Sequence, residues 1–357
     1  MCEVQTGIDT FCCYHVLTSC QKSKIVEALT HSPGFCKVGD DYWANTVLFA
    51  STCFINRGVK LSVFRKEGGP WGLFVIVHPM LVLGKLDRSM LYLPQRKKEY
   101  KEIVKAVDTL LKTVHVPCSI DDMKLSRIDV TANLIFQDKA VVEQYLHILK
   151  KGCLLPHYRF EYFKENEQKA KDCKLANQHS YKQSCKSAAF FVYDKTAQLE
   201  MIDKFPKTLH GKHILRLEAQ LRRKVMKKWV SNGEIGSNWN LLEELGHNTA
   251  KILRWYLKRT QPVQAPCVRY EDAAAKVSTV KNTKTQERML YLLRKTSDSR
   301  DLTSALEKLK EHFNLKKGQV SHVLKKFDKL DISPVTFPNS SKQTSLPPAR
   351  QLLSQLK

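Results

Sequence analysis

Apolar residues recur along this chain at two different periods. Where they fall at every second position a strand is predicted, and where they fall at every third or fourth a helix. IDTFCCYHVL (8–17) reads as an opening strand and QKSKIVEAL (21–29) as a helix. VLFASTCFI, VKLSVFRK and LFVIVH within 47–78 read as a β-meander, its last hairpin marked by GGPWG at 68–72. KKEYKEIVKAVDTLLKTV (97–114) places Ile103, Val107, Leu110, Leu111 and Val114 on one helical stripe. A strand KLSRIDVTANLIF (124–136), a helix AVVEQYLHILKK (140–151) and a strand YRFEYFK (158–164) follow. The lysine-rich segment 165–186 has few apolar residues and reads as an exposed loop. SAAFFVYDKTAQLE (187–200) is a strand that ends on Tyr193 and meets Asp194 and Lys195 at once; HILRLEAQLRRK (213–224) is a further strand.

Strands mixed with helices predict an α+β domain over 1–262, a central, mostly antiparallel sheet with flanking helices. QPVQAPCV (261–268) opens a proline-marked linker over 263–284. A small C-terminal helical module is expected over 285–332, where LTSALEKLKEHFN, LKKG and QVSHVLKKFDKL have the lengths of helix, turn and helix. That resembles a helix-turn-helix with Gln319, Ser321, His322 and Lys325 on a possible reading face; a helical packing or dimerisation module is the alternative. The Ser/Pro-rich stretch 333–357 is expected to be disordered. No internal repeat is visible.

Charge narrows the function. The 357 residues carry 59 Lys plus Arg against 35 Asp plus Glu, a formal charge of +24, so the expected partner is a polyanion, nucleic acid first. No basic amphipathic helix or lipidation motif points to a membrane, no apolar run is long enough to span one, and MCEVQTGIDTF lacks a secretory signal, so a cytoplasmic location is expected. None of the 11 cysteines forms a CxxC pair, and they read as small buried hydrophobes.

Strand alternation then isolates candidate chemistry. In SRIDVTANL, Arg127, Asp129, Thr131 and Asn133 share one face; in HILRLEAQL, Arg216, Glu218 and Gln220 do. Phe191, Tyr193 and Lys195 lie in phase on a third strand. Solvent faces of antiparallel strands would give the same alternation. Together, however, paired carboxylates suit a hard divalent cation, arginines suit phosphate oxygens, and a tyrosine beside them suits attack on a phosphodiester. The run LRRKVMKKW (221–229) adds Arg222, Arg223, Lys224, Lys227 and Lys228, a candidate grip on a DNA backbone.

These motifs resemble the filamentous-phage replication initiators of the gene II/gene X family and, more distantly, plasmid rolling-circle initiators. LSRIDVTANL is similar to the family's Ser-Arg-Ile-Asp strand, FFVYDKTAQLE to its Tyr-x-Lys segment, and ILRLEAQLRRKVMKKW to its Arg-x-Glu strand; GIDTFCCYHVL and VIVHPMLVLGK add weaker likenesses. Their order and approximate spacing agree from residue 8 to about 245. The resemblance implies a rolling-circle initiator-like nuclease domain that nicks one strand of a double-stranded phage or plasmid origin and keeps the 5′ end on a tyrosine, leaving a 3′-OH for host replication proteins. It implies Tyr193 as nucleophile, Asp129 and Glu218 as ligands of Mg2+ or Mn2+, and Arg127, Arg216 and Lys195 as phosphate or transition-state contacts. The family often has an acid a few residues after the tyrosine; here Gln198 holds that spacing and Glu200 comes two later, which leaves the third ligand among Glu200, Glu161 and His78. No His-x-His nickase motif is present, and Tyr181, in an expected loop, is a possible second nucleophile. A non-catalytic DNA-binding regulator is the alternative; an RNA-binding protein has no aromatic RNP-like strand or GxxG loop to support it.

Overall fold

Alternating apolar residues do pair into a sheet. The computed structural model describes residues 2–31, 35–41, 46–51, 54–65, 69–161, 178–201, 206, 209–231 and 236–355. Its strands are β1 (Glu3–Leu17), β2 (Phe35–Asp41), β3 (Thr46–Ser51), β4 (Val59–Arg65), β5 (Trp71–Val77), β6 (Lys124–Phe136), β7 (Arg159–Glu161), β8 (Ser180–Cys185), β9 (Ala188–Asp194), β10 (His213–Arg222), β11 (Cys267–Val268) and β12 (Ser345–Leu346). The first ten form one sheet in the order β2-β3-β4-β5-β1-β6-β10-β9-β8-β7; β11 and β12 pair separately. β1 with β5, β2 with β3, β3 with β4, β4 with β5, β7 with β8, β8 with β9 and β11 with β12 pair antiparallel. The fold is α+β, as the two periods predict. The helices are α1 (Ser19–Thr30), α2 (Pro79–Val82), α3 (Lys97–Lys112), α4 (Lys139–Lys150), α5 (Lys195–Met201), α6 (Arg223–Met226), α7 (Asn238–His247), α8 (Thr249–Thr260), α9 (Tyr270–Ser278), α10 (Thr283–Asp298), α11 (Leu302–His312), α12 (Lys317–Lys329) and α13 (Ala349–Leu352).

The chain divides into two compact units, and the division passes through β6 after Thr131 and through β10 after Glu218. The second unit holds residues 6–131 and 219–249. In it α1 starts on a capping box formed by Thr18 and Gln21, which satisfies two otherwise orphaned backbone donors. The stripe of α3 buries Tyr100, Ile103, Val107, Leu110 and Leu111, and Tyr100 meets Trp239 of α7. Buried Asn238 accepts the Leu125 N–H and donates to the Met123 carbonyl, while Arg223 Nη1 donates to the Leu125 carbonyl at 3.0 Å. Those bonds fix where β6 enters the sheet, and so where Arg127 and Asp129 fall.

The first unit holds residues 1–5, 132–218 and 250–357. Phe190 of β9 stacks on Tyr256 of α8 with centroids 5.1 Å apart. The expected linker 263–284 instead carries β11, α9 and the start of α10. The helical module appears as α10, α11 and α12, the last two matching the expected helix-turn-helix pair. The stretch expected to be disordered is packed from 333 to 355. Val335, Phe337, Leu346, Leu352 and Leu353 are buried, β12 pairs with β11, and Arg269 Nη2 donates to the Ser341 carbonyl at 2.6 Å. A few well-spaced apolar residues suffice to dock a segment whose composition is otherwise Ser- and Pro-rich.

Phe337 is 2% exposed, so Phe337→Ala should destabilise the first unit by about 3–5 kcal/mol and lower its urea midpoint. An unchanged midpoint would contradict the docking of 333–355.

Candidate active site

Tyr193 is set by a strand-to-helix corner in the first unit. β9 pairs with β8 so that Ser180 lies opposite Tyr193 and Lys182 opposite Phe191. Where β9 ends, Asp194 is 3% exposed and its Oδ1 accepts the Ala197 N–H at 3.0 Å, an N-cap-like bond that starts α5. Thr196 Oγ1 accepts the Ile214 N–H at 2.9 Å and ties that corner to β10. Leu199, Leu209, Ile135 and Ile214 form a buried cluster beneath it. Along the same face of β10 the next two side chains are Arg216 and Glu218. Arg216 has no exposed surface, and its Nε donates to Asn133 Oδ1 at 2.8 Å. Glu218 is 8% exposed, and Tyr193 Oη donates to its Oε2 at 3.1 Å.

The proposed nucleophile and one proposed acid are therefore in direct contact. Lys195 is also close: its Nζ lies 6.0 Å from the Tyr193 ring centroid and donates to Gln198 Oε1 at 2.8 Å. Gln198 thus holds the lysine. Arg216, expected as a phosphate contact, offers no surface to a phosphate as folded; it braces β6 against β10 through Asn133.

In the second unit Asp129 is 3% exposed. Arg127 Nη2 donates to Asp129 Oδ2 at 3.1 Å and to Thr10 Oγ1 at 3.3 Å, and Thr10 in turn donates to Asp129 Oδ2. Burial pushes the Asp129 carboxyl above its ordinary range, and the Asp9 charge adds to this; Arg127 and the hydrogen bonds from Thr10 and Gln220 oppose it. Asp129 Oδ1 is buried with no hydrogen-bond partner among the described residues. Asp9 is the residue that strand reading passed over. It stood in the quoted opening strand, but its approach to Asp129 depends on β1 and β6 being neighbours, which no local pattern reveals.

The remaining candidates separate. Glu200 is exposed on α5. Glu161 pairs with Lys182 and accepts from Ser184; burial alone would raise its carboxyl, but those contacts and Arg159 hold it below the ordinary value. His78 is the residue before α2, which places it at a strand end. Tyr181 is not in a loop: it lies in β8, 7% exposed, against Phe160 and Phe190, and burial raises its hydroxyl well above the ordinary value. A phenol so enclosed is a poor second nucleophile. In the basic run, Arg222, Lys227 and Lys228 are exposed, Arg223 is half-buried, and buried Met226 and Val230 anchor the segment. Gln319, Ser321, His322 and Lys325 are all exposed, though Gln319 Oε1 accepts the Lys316 N–H at 2.8 Å and Ser321 Oγ donates to the Lys317 carbonyl at 3.2 Å. The second unit also has a groove of about 500 Å³ lined by Lys97, Lys101, Lys105 and Lys112, which contains none of the sequence candidates.

Among the described residues no group of three or more His, Cys, Asp or Glu is arranged to hold a metal. A hard cation that keeps several waters needs only one or two carboxylates, and the buried Oδ1 of Asp129, without a hydrogen-bond partner among the described residues, has the chemistry for one. No protein-family model matches the chain, and no curated protein matches it.

The raised Asp129 carboxyl is measurable. Its carboxyl carbon should titrate above the ordinary aspartate midpoint, and Arg127→Ala should move it higher still. Because the folded state holds this proton more tightly than the unfolded chain, the contribution of Asp129 to stability is greatest at low pH and is lost as pH rises through the folded midpoint. A midpoint at or below the ordinary value would contradict the burial and pairing described.

Proposed function

We propose that this chain is a rolling-circle replication initiator that nicks one strand of a phage or plasmid origin and holds the 5′ end on Tyr193. The observation that carries this reading is the hydrogen bond from Tyr193 Oη to the buried carboxylate of Glu218. A phenol is a weak nucleophile until its proton has somewhere to go. In the proposed step Tyr193 Oη attacks phosphorus, its proton passes to Glu218 Oε2, and the bond to the 3′ oxygen breaks. The 3′ oxygen leaves, takes a proton from solvent water to become the primer hydroxyl, and the phosphate stays on Tyr193 as a diester. Lys195, beside the tyrosine ring, adds positive charge where the phosphate would sit.

Of Arg127 and Arg216, Arg127 has a partly exposed side chain, at 25%, and is assigned to a phosphate oxygen. Mg2+ or Mn2+, when bound, would be held by Asp129 of the second unit and would neutralise charge on the phosphodiester. Glu218, a metal ligand by the resemblance, is assigned here as the proton acceptor for Tyr193, the role its hydrogen bond supports. Arg222, Arg223, Lys227 and Lys228 are assigned to the backbone of duplex origin DNA. Among the described residues no helix is long and apolar enough to cross a membrane. The reading places the protein in the cytoplasm of a bacterial host, handing its 3′-OH to host replication proteins.

Tyr193→Phe should bind origin DNA as the parent does and lose nicking of supercoiled origin DNA by roughly 10³-fold or more in the presence of Mg2+. Glu218→Gln should slow nicking by about 10²- to 10⁴-fold. A parent protein that binds and never nicks would instead make the chain a non-catalytic DNA-binding regulator, and a Phe variant that nicks normally would remove Tyr193 from the chemistry.

A further inference from the structure

The sheet of the second unit has two unlike faces. One carries Phe11 and Cys13 of β1, buried, with Cys13 beside Tyr100 of α3, so helices cover it. The other carries Thr10, Cys12, Tyr14 and Val16 of β1, and through strand pairing Phe74 and Ile76 of β5 and Phe64, Ser62 and Lys60 of β4. Here Tyr14, Phe64, Phe74 and Ile76 remain half-exposed and Val16 is 50% exposed. Phe64 and Phe74 stack with centroids 4.4 Å apart, and Tyr14 is tilted against both, at 5.9 and 5.6 Å.

Gly72 is what lets the three rings meet. It lies opposite both Val16 and Phe64, and a Cβ there would come within 2.6 Å of the Phe64 ring and 2.7 Å of Tyr14. On the same face, two residues along β1, Cys12 feels the Arg127 charge, and Thr10 reaches Arg127 and Asp129. An aromatic platform thus leads along one face to the candidate phosphate contact.

We propose that Tyr14, Phe64 and Phe74 form a stacking platform for bases of single-stranded DNA, with Lys60 and Arg127 meeting its phosphates. This rests on the reading of the protein as a strand-nicking initiator, and names the surface that takes the opened strand. Aromatic rings on an open sheet face accept bases irrespective of sequence, because every base has a π-face. Charge decides the occupant: the face offers Lys60 and Arg127, and the whole chain carries +24, which suits a polyanion and repels a second copy.

The test uses full-length protein, a labelled single-stranded oligonucleotide, an abasic oligonucleotide of equal length, and a duplex. Tyr14→Leu and Phe64→Leu, singly and together, keep apolar volume and remove π surface; unfolding midpoints verify that each variant is folded. Each substitution should weaken single-strand binding by about tenfold, leave duplex binding unchanged, and bring the affinity toward that of the abasic oligonucleotide. Equal affinity of parent and variants, or equal binding of abasic and base-bearing strands, would overturn the proposal. So would a parent dimer that the leucine variants dissolve without change in oligonucleotide binding. Nicking of supercoiled DNA is read in parallel: an inactive parent whose platform still discriminates bases loses the enzyme reading alone, and active variants with undiminished single-strand affinity lose the platform alone.

Discussion

A carboxylate taken out of water must be met by donors or charges, and this chain buries one on each of two neighbouring strands. Asp129 is 3% exposed and Glu218 8%. Leaving either unpaired would cost several kcal/mol. Asp129 is met by Thr10 and Arg127, and Glu218 by the hydroxyl of Tyr193. The same requirement explains their neighbours: Thr131, Asn133 and Arg216 are buried too, and Arg216 is met by Asn133. A polar face in water could tolerate loose side chains. Under cover, Thr10 and Arg127 orient Asp129 in the second unit, and in the first Asn133 orients Arg216 and Tyr193 meets Glu218.

From that constraint the placement of the reactive groups follows. The Asp194 cap and the Thr196 bond to β10 hold the corner after β9, and with it Tyr193 and Lys195. In the second unit the Asn238 bonds and the Arg223 bond fix the entry of β6, and with it Arg127 and Asp129. The basic run begins where β10 ends, anchored by Met226 and Val230 so that Lys227 and Lys228 face outward. Strands carry the buried polar side chains, and a short exposed segment carries the basic run.

Much of the fold was legible because period and strand pairing are local or nearly so. The expected strand 124–136 coincides with β6, and the alternation that sets Arg127 and Asp129 in phase is present in the structure. What alternation cannot tell is whether a polar face is wet. Arg216 and Asn133 lay in phase on polar faces that suit a site or solvent alike, Arg216 being expected as a phosphate contact; burial makes it a brace instead. Tyr181 read as a loop residue from its polar neighbours, yet pairing of β8 with β9 enclosed it. Composition misread 333–355, where five apolar side chains outweigh many Ser and Pro. Asp9 and the aromatic trio Tyr14, Phe64 and Phe74 escaped notice because each depends on strands far apart in sequence becoming neighbours.

The covalent link is the measurement that bears most directly on the chemistry. Protein incubated with supercoiled origin DNA and Mg2+ would be digested with nuclease and trypsin and its peptides weighed and sequenced by mass spectrometry. The peptide Ser187–Lys195 should carry a nucleotide remnant, with fragmentation placing it on Tyr193. Nicked DNA with the adduct on another peptide, or with no adduct on any, would contradict the account.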